Sequence, residues 1–137
     1  MPNISCRFFN VYGPRLNTTG QYGAVFSNFL IQKKKKRPLT IVGNGKQTRD
    51  FIHVDDLTNA FIKLARSNLK NKIYNLGSGK ETSINKISDI IGGKKIFIPK
   101  RPGDPNRSCA NISKIKKDIE WKPRISIIEG IERLFQS

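Results

Sequence analysis

Apolar residues along the 137-residue chain follow two different spacings, one typical of strands and one typical of helices. The first apolar run, Ile4 to Val11, is short and contains aromatic residues, which indicates a buried strand. After a polar loop, apolar residues recur on one helical face at Val25, Phe26, Phe29 and Leu30. This predicted helix ends at a lysine cluster. The chain is therefore predicted to begin with a strand followed by a helix.

The next segment predicts a hairpin and then a helix. Leu39–Val42 and Gln47–Val54 are each predicted to be strands, and Gly43-Asn44-Gly45 between them is typical of a hairpin turn. Apolar residues at i, i+3, i+4 and i+7 then give the clearest helical pattern in the chain: Leu57, Ala60, Phe61 and Leu64. Asp55 is its predicted N-cap.

The second half alternates strands and helices. Strands are predicted at Ile73–Leu76 and Lys95–Ile98, and Ser83 is predicted to cap the helix between them. A short helix at 112–119 and a last helix opened by the capping box Ser126 to Glu129 complete the pattern. The sequence therefore predicts one mixed α/β domain, residues 1–137.

Length and composition exclude several classes of protein. No apolar run reaches the roughly 18 residues of a membrane span, and the N-terminus does not resemble a secretory signal, so we expect no membrane partner. Cys6 and Cys109 are far apart in sequence, which favours a reduced, cytoplasmic setting. His53 is the only histidine, so neither a zinc site nor a Ser/His/Asp triad is expected.

The net charge of +16 raises the question of a polyanionic partner. The charge is mostly lysine spread along the chain, with one run at Lys33–Arg37. A solvated lysine face is the favoured interpretation, and a phosphate-bearing ligand or a polyanion site remains open. A nucleic-acid partner is not favoured, because no recognition motif accompanies the charge.

Polar residues on otherwise apolar elements are the candidate chemistry. They are Arg7 and Asn10 in the first strand, Arg49 and Asp50 in the hairpin, and Arg101 and Asp104 in a Pro/Gly loop. Two arginines converging on one cleft would suit a diphosphate, because guanidinium groups bind phosphate oxygens in pairs. From spacing alone, ordinary ion pairs or loop caps, Arg49–Asp50 or Arg101–Asp104, are the favoured interpretation.

Five segments in order resemble one known family. They are RFFNVYGPR (7–15), TIVGNGKQTRDFIHVDDLTNAF (40–61), IYNLGSG (73–79), RPGD (101–104) and SKIKKDIEWKPRISIIEGIERL (113–134). The chain resembles the extended short-chain dehydrogenase/reductase enzymes that act on nucleotide sugars, with UDP-glucose 4-epimerases nearest. The resemblance covers residues 4 to 135, and it favours ligand roles over the ion-pair alternative.

The resemblance implies which part of such an enzyme this chain is. Family members join an N-terminal Rossmann domain, with NAD and a catalytic Tyr-x-x-x-Lys, to a smaller C-terminal substrate domain. This chain contains neither that motif nor a glycine-rich NAD loop, and it begins almost at once with a buried-type strand. We therefore expect a C-terminal nucleotide-sugar-binding domain without catalytic residues, its Rossmann portion largely missing, and a possible homodimer.

Ligand roles carry over by resemblance to individual positions. Asn10 and Arg49 correspond to residues that hold the diphosphate, and Phe51 to an aromatic residue beside the nucleotide. Arg101 and Asp104 correspond to the pair that reaches a phosphate and the ribose. Two further positions complete the set: Val25 in the substrate loop and Phe8 near the nicotinamide of NAD. His53, Asp55 and Asp56 are interpreted as capping and packing residues.

For the intact enzyme the resemblance implies hydride transfer on a UDP-sugar or dTDP-sugar, in which NAD oxidises a sugar hydroxyl to a ketone. An epimerase returns the hydride to the opposite face, whereas a dehydratase eliminates water and a decarboxylase loses carbon dioxide. Another class stays open, namely a non-catalytic basic module that binds a nucleotide sugar or nucleic acid.

Overall fold

The computed structural model describes residues 3–15, 25–100 and 102–136, which form a mixed α/β fold. The elements are, in order, β1 (Ile4–Phe8), β2 (Asn10–Tyr12), α1 (Val25–Lys34), β3 (Leu39–Val42), β4 (Thr48–His53), α2 (Val54–Ala65), β5 (Lys72–Leu76), β6 (Glu81–Ser83), α3 (Ile84–Ile91), β7 (Lys95–Ile98), α4 (Ser113–Ile119) and α5 (Ile127–Gln136). Arg101 lies outside the described residues, so its ligand role stays a prediction.

The strand predicted at Ile4 to Val11 is divided in two, and its halves pair with different strands. β1 pairs in parallel with β5, and β2 pairs in parallel with β4. The change of partner falls at Phe9, whose N–H still donates to the carbonyl of Leu76 at 2.9 Å. Because β5 ends at Leu76, the chain beyond Phe9 continues along β4 instead.

The predicted hairpin of β3 and β4 is wrong. β3 pairs in parallel with β7, while β4 lies between β2 and the antiparallel β6. The turn is present, with Gly43 and Gly45 at φ of 64° and 70°, but Asn85 at the start of α3 binds it. The Asn85 amide donates to the carbonyl of Asn44 at 3.0 Å, and its backbone N–H donates to the carbonyl of Gly45 at 3.0 Å. The turn therefore directs β4 away from β3.

Two apolar clusters lie on opposite sides of β4, because successive side chains of a strand point to opposite faces. Phe51 belongs to the first cluster, with Tyr12, Phe26, Phe29, Leu39, Ile41, Ile84, Ile87, Ile91, Ile131 and Leu134. Ile52 belongs to the second, with Leu57, Ala60, Leu64, Tyr74, Leu76, Ala110, Ile112, Ile115 and Trp121. β4 is thus shared by both cores, and its alternating residues face different surroundings.

The helix starts confirm two predicted caps and correct a third. The hydroxyls of Ser83 and Ser126 each accept a backbone N–H, from Lys86 and Glu129 respectively, both at 3.2 Å. Asp55 is not an N-cap, because α2 begins one residue earlier, at Val54. His53 caps this helix instead, and its Nδ1 accepts the Asp55 N–H at 3.2 Å. None of the described helices is long and apolar enough to cross a membrane.

Candidate functional site: a cleft beside β4

A cleft of about 690 Å³ lies beside β4, bounded by residues of β2, β3, α1 and the segment 102–105. Five of the residues predicted to bind substrate line it together: Asn10, Val25, Arg49, Phe51 and Asp104. These residues are up to 94 positions apart in sequence, Asn10 to Asp104, so the fold itself gathers them. The structure therefore supports one common site for this predicted set.

Arg49 is the cation of the cleft. Its Nη2 donates to Oδ1 of Asp104 at 2.5 Å, and its Nη1 donates to the backbone carbonyl of Thr48 at 2.8 Å. Its side chain is 15% exposed. A guanidinium carries five N–H donors, and within the described residues these two bonds are the ones that Arg49 makes to protein acceptors. Donors therefore remain for an anionic ligand.

The ion pair Arg49–Asp50 considered from the sequence does not form, because Arg49 binds Asp104 rather than its neighbour Asp50. Asp50 is fully buried, with no exposed surface. Its carboxylate accepts four hydrogen bonds: from the N–H and hydroxyl of Ser78 at 2.6 and 2.7 Å, from Gly79 N–H at 2.9 Å and from Ala110 N–H at 3.0 Å. Asp50 therefore ties β4 to the loop after β5 and to the segment around Ala110.

The same network decides whether Gly77-Ser78-Gly79 could hold the pyrophosphate of NAD. A phosphate-binding loop needs free backbone N–H groups at the start of a helix. Here the N–H groups of Ser78 and Gly79 both donate to Asp50. A Cβ on Gly77 would lie 2.8 Å from Oδ2 of Asp50, so this glycine makes room for the carboxylate. Gly77-Ser78-Gly79 is thus not a fitting site for the NAD pyrophosphate.

Asn10 and Phe51 are held in place by their neighbours. The Asn10 amide donates to the backbone carbonyl of Asp50 at 3.0 Å, which links the cleft residue of β2 to the anchored part of β4. Phe51 is only 6% exposed and packs edge-to-face on Phe26, with ring centroids 5.0 Å apart. Phe51 therefore forms an apolar wall of the cleft that is continuous with the first core cluster.

Phe8, the predicted cofactor residue, is not brought to the cleft. It ends β1 with 59% of its surface exposed and lies in a separate open depression with Phe61 and Leu64. Its role near the nicotinamide stays a prediction. No group of three His, Cys, Asp or Glu side chains within the described ranges is arranged to hold a metal ion.

The capping and packing interpretation is supported for His53 and Asp56 but not for Asp55, which is exposed and is not the N-cap. His53 is 2% exposed, and its ring meets the Tyr12 ring edge-on at 5.3 Å. Burial lowers the pKa of His53, and the nearby Asp55 carboxylate opposes that shift. Asp56 accepts the backbone N–H groups of Arg124 and Ile125, so it fixes the chain before α5.

Some residues of β3 line the cleft although the sequence analysis did not assign them to the site. Thr40 and Val42 face the cleft, while Leu39 and Ile41 between them are buried. Gln47 also lines the cleft and donates to the carbonyl of Val42 at 2.8 Å. The alternation of buried and partly exposed residues in Leu39–Val42 could have indicated that Thr40 and Val42 face a cleft. The hairpin prediction instead paired β3 with β4, which left no cleft between these strands.

Comparison with known proteins places these features in a family. The profile of the NAD dependent epimerase/dehydratase family matches residues 1–77. The putative UDP-glucose 4-epimerase of Methanocaldococcus jannaschii is 40% identical over 134 residues, which is 93% of this chain and 43% of that protein. UDP-glucuronic acid decarboxylase 1 of Arabidopsis thaliana is 35% identical over 136 residues, covering 93% of this chain and 30% of that protein. The chain thus spans less than half the length of these curated relatives.

Solved structures agree. The UDP-glucose 4-epimerase of Thermotoga maritima, with UDP-glucose, superposes with a TM-score of 0.92 and 27% identity over 99% of this chain and 45% of its own. The UDP-glucuronic acid 4-epimerase of Bacillus cereus, in complex with UDP-glucuronic acid and NAD, gives a TM-score of 0.86 and 29% identity over 96% of this chain and 43% of its own. The chain belongs to the NAD dependent epimerase/dehydratase family, whose relatives here act on nucleotide sugars.

Proposed function

We propose that this chain is the C-terminal, nucleotide-sugar-binding portion of an NAD-dependent epimerase of the UDP-glucose 4-epimerase type. The observation that carries the proposal is the convergence of Asn10, Arg49 and Asp104 on one cleft around an arginine with unused donors. The likeness of the fold to an epimerase with bound UDP-glucose supports it.

The cleft has the size and polarity that a sugar nucleotide needs. Its volume of about 690 Å³ falls within the roughly 300–1,000 Å³ typical of small-molecule sites. Arg49 would bind the diphosphate through its remaining N–H donors, and the Asn10 amide lies on the same wall. Asp104 would accept a ribose hydroxyl while it keeps the guanidinium in place. A UDP-sugar is the proposed ligand, with a dTDP-sugar as the alternative.

NAD is proposed as the cofactor because the family is NAD-dependent, and not because this chain contains a site for it. A Rossmann portion, which the resemblance places before this chain, would hold NAD and the catalytic groups. NAD bound there would supply the hydride transfer that inverts C4 of the sugar. This chain would bind and orient the sugar nucleotide and would be inactive alone. The homodimer and the cytoplasmic setting stay predictions.

A UDP-glucuronic acid decarboxylase is the second candidate, because such decarboxylases from plants and vertebrates are 33 to 35% identical to this chain. The discriminating experiment uses the intact protein with its N-terminal portion. Incubation with UDP-glucose should give the C4 epimer. Release of carbon dioxide from UDP-glucuronic acid, without epimerisation of UDP-glucose, would favour the decarboxylase.

The binding half of the proposal is tested by calorimetric titration of this chain with UDP-glucose. We expect saturable binding that weakens by at least about tenfold in Arg49→Ala, since charge-assisted hydrogen bonds to phosphate are lost. Arg66→Ala is the matched control, because Arg66 is exposed at the end of α2 and should leave the affinity unchanged. Absence of UDP-glucose binding by a folded sample that binds duplex DNA instead would contradict the proposal.

A further inference from the structure

Seven cations gather at one end of the molecule, which we call the basic tip. Its members are Lys33, Lys34, Lys35, Lys36 and Arg37 at the end of α1, with Lys94 and Lys95 at the start of β7. Two contacts join these segments: Lys33 Nζ donates to the carbonyl of Gly92 at 2.9 Å, and Leu39 N–H donates to the carbonyl of Lys94 at 2.7 Å. The run in the sequence thus becomes part of a larger charged surface.

The charge of the basic tip is poorly compensated. Among the described residues, the one ion pair made by these cations joins Lys95 to Asp89. The residues from Lys33 to Arg37 and Lys94 are all exposed to solvent. None of the seven cations lines the cleft, so the basic tip is separate from the candidate substrate site.

Exposed apolar residues lie directly beside these cations. Ile96 and Phe97 follow Lys95 in β7 and are 47% and 57% exposed. β7 pairs with β3 alone among the described strands, so its other edge is open. On an edge strand, apolar side chains with this much exposed surface are usually covered by another element or replaced by charged residues. A lysine cluster flanked by an aliphatic and an aromatic side chain is the combination that holds proteins at the surface of anionic bilayers.

We propose that the basic tip docks onto an anionic lipid bilayer. The lysines would lie at the headgroups, and Phe97 would enter the interface, whereas Ile96 points to the opposite face of β7. Six of the seven cations are lysines, whose compact ammonium groups suit dispersed headgroup charge, whereas nucleic-acid recognition favours the planar fork of arginine.

The test is flotation of the full 137-residue chain with vesicles of phosphatidylcholine containing one-third phosphatidylglycerol, and with phosphatidylcholine alone. We expect binding to the anionic vesicles only, and its loss at high salt, because screening weakens charge attraction. Equal binding to both vesicles, or none to either, overturns the proposal.

Two charge-matched variants locate the surface. The triple change Lys34→Gln, Lys35→Gln and Arg37→Gln should weaken binding by about a hundredfold, and Phe97→Ser should weaken it by about tenfold. The matched control is Lys70→Gln, Lys116→Gln and Lys117→Gln, which removes the same charge from other exposed positions and should leave binding within about twofold. Equal loss in both triple variants would show diffuse attraction and overturn the proposal. Tighter, tip-dependent binding to duplex DNA or RNA than to vesicles would overturn it in favour of a nucleic acid.

Discussion

Arg49 and Asp50 are neighbours on β4, carry opposite charges and point to opposite faces of the strand. Arg49 faces the cleft, pairs with one partly exposed carboxylate and keeps unused donors. Asp50 faces the second core, is fully buried and has its carboxylate occupied by four donors from the chain itself. The face of the strand, rather than the residue type, separates a ligand-binding group from a structural one.

Arg49 and Asp50 differ physically in whether the side chain has hydrogen-bonding groups that the protein does not use. A buried carboxylate whose hydrogen bonds are all made within the chain, by three backbone N–H groups and the Ser78 hydroxyl, stabilises the fold and offers nothing to a ligand. An arginine held by a single carboxylate is positioned but not saturated. Changes on the Asp50 face should therefore act on stability, and changes on the Arg49 face on binding.

Asp50→Ala should have the largest effect. It leaves the N–H groups of Ser78, Gly79 and Ala110 without their acceptor, at a cost of about 3–5 kcal/mol in the free energy of unfolding. Urea unfolding monitored by circular dichroism measures it, with the exposed Asp89→Ala as control. A loss below about 1 kcal/mol would contradict the structural role.

His53 lies on the same face of β4 as Arg49, but unlike Arg49 its side chain is buried. Burial lowers its pKa below the ordinary value of 6.5, so the folded chain binds fewer protons than the unfolded chain. Its contribution to stability is complete above that ordinary value and is lost as the pH falls from there through the lowered pKa of the folded chain, with a slope of at most about 1.4 kcal/mol per pH unit.

Unfolding free energies measured in urea between neutral and mildly acidic pH would show this slope. His53→Asn should flatten it, since an asparagine oxygen can still accept the Asp55 N–H as an N-cap while the titrating ring is gone. An unchanged slope in the variant would assign the pH dependence to another group.

Arg49→Ala should have the smallest effect on stability. The ion pair with Asp104 is partly solvated, at 15% and 32% side-chain exposure, so its loss should cost less than about 1 kcal/mol. The same urea titration measures it. A cost equal to that of Asp50→Ala would mean that the cleft pair is structural and would remove the contrast between the two faces.

The sequence predicted local elements well and their partners poorly. The caps at Ser83 and Ser126 depend on hydrogen bonds within one turn, so a few neighbouring letters suffice. The hairpin prediction failed although the turn residues are typical of a hairpin. β3 pairs with β7, β4 pairs with β2 and β6, and Asn85, about forty positions away, binds the turn. Local turn chemistry does not specify which strands pair.

The candidate site was predicted through resemblance and completed by the structure. Motif positions located Asn10, Arg49, Phe51 and Asp104, which the fold brings together. Thr40 and Val42 were missed because their exposure to the cleft follows from the parallel pairing of β3 with β7. The Asp50 network was also missed, since three of its four donors are backbone N–H groups that any sequence carries.

The central claim, that the Arg49 face of β4 binds a nucleotide diphosphate, is tested most directly by an NMR titration of the isotopically labelled chain with UDP. The account predicts saturable shifts of the backbone amides of Asn10, Arg49, Phe51 and Asp104, with little change at Ser78 and Ala110. Shifts confined to the basic tip, with the cleft amides unmoved, would contradict it.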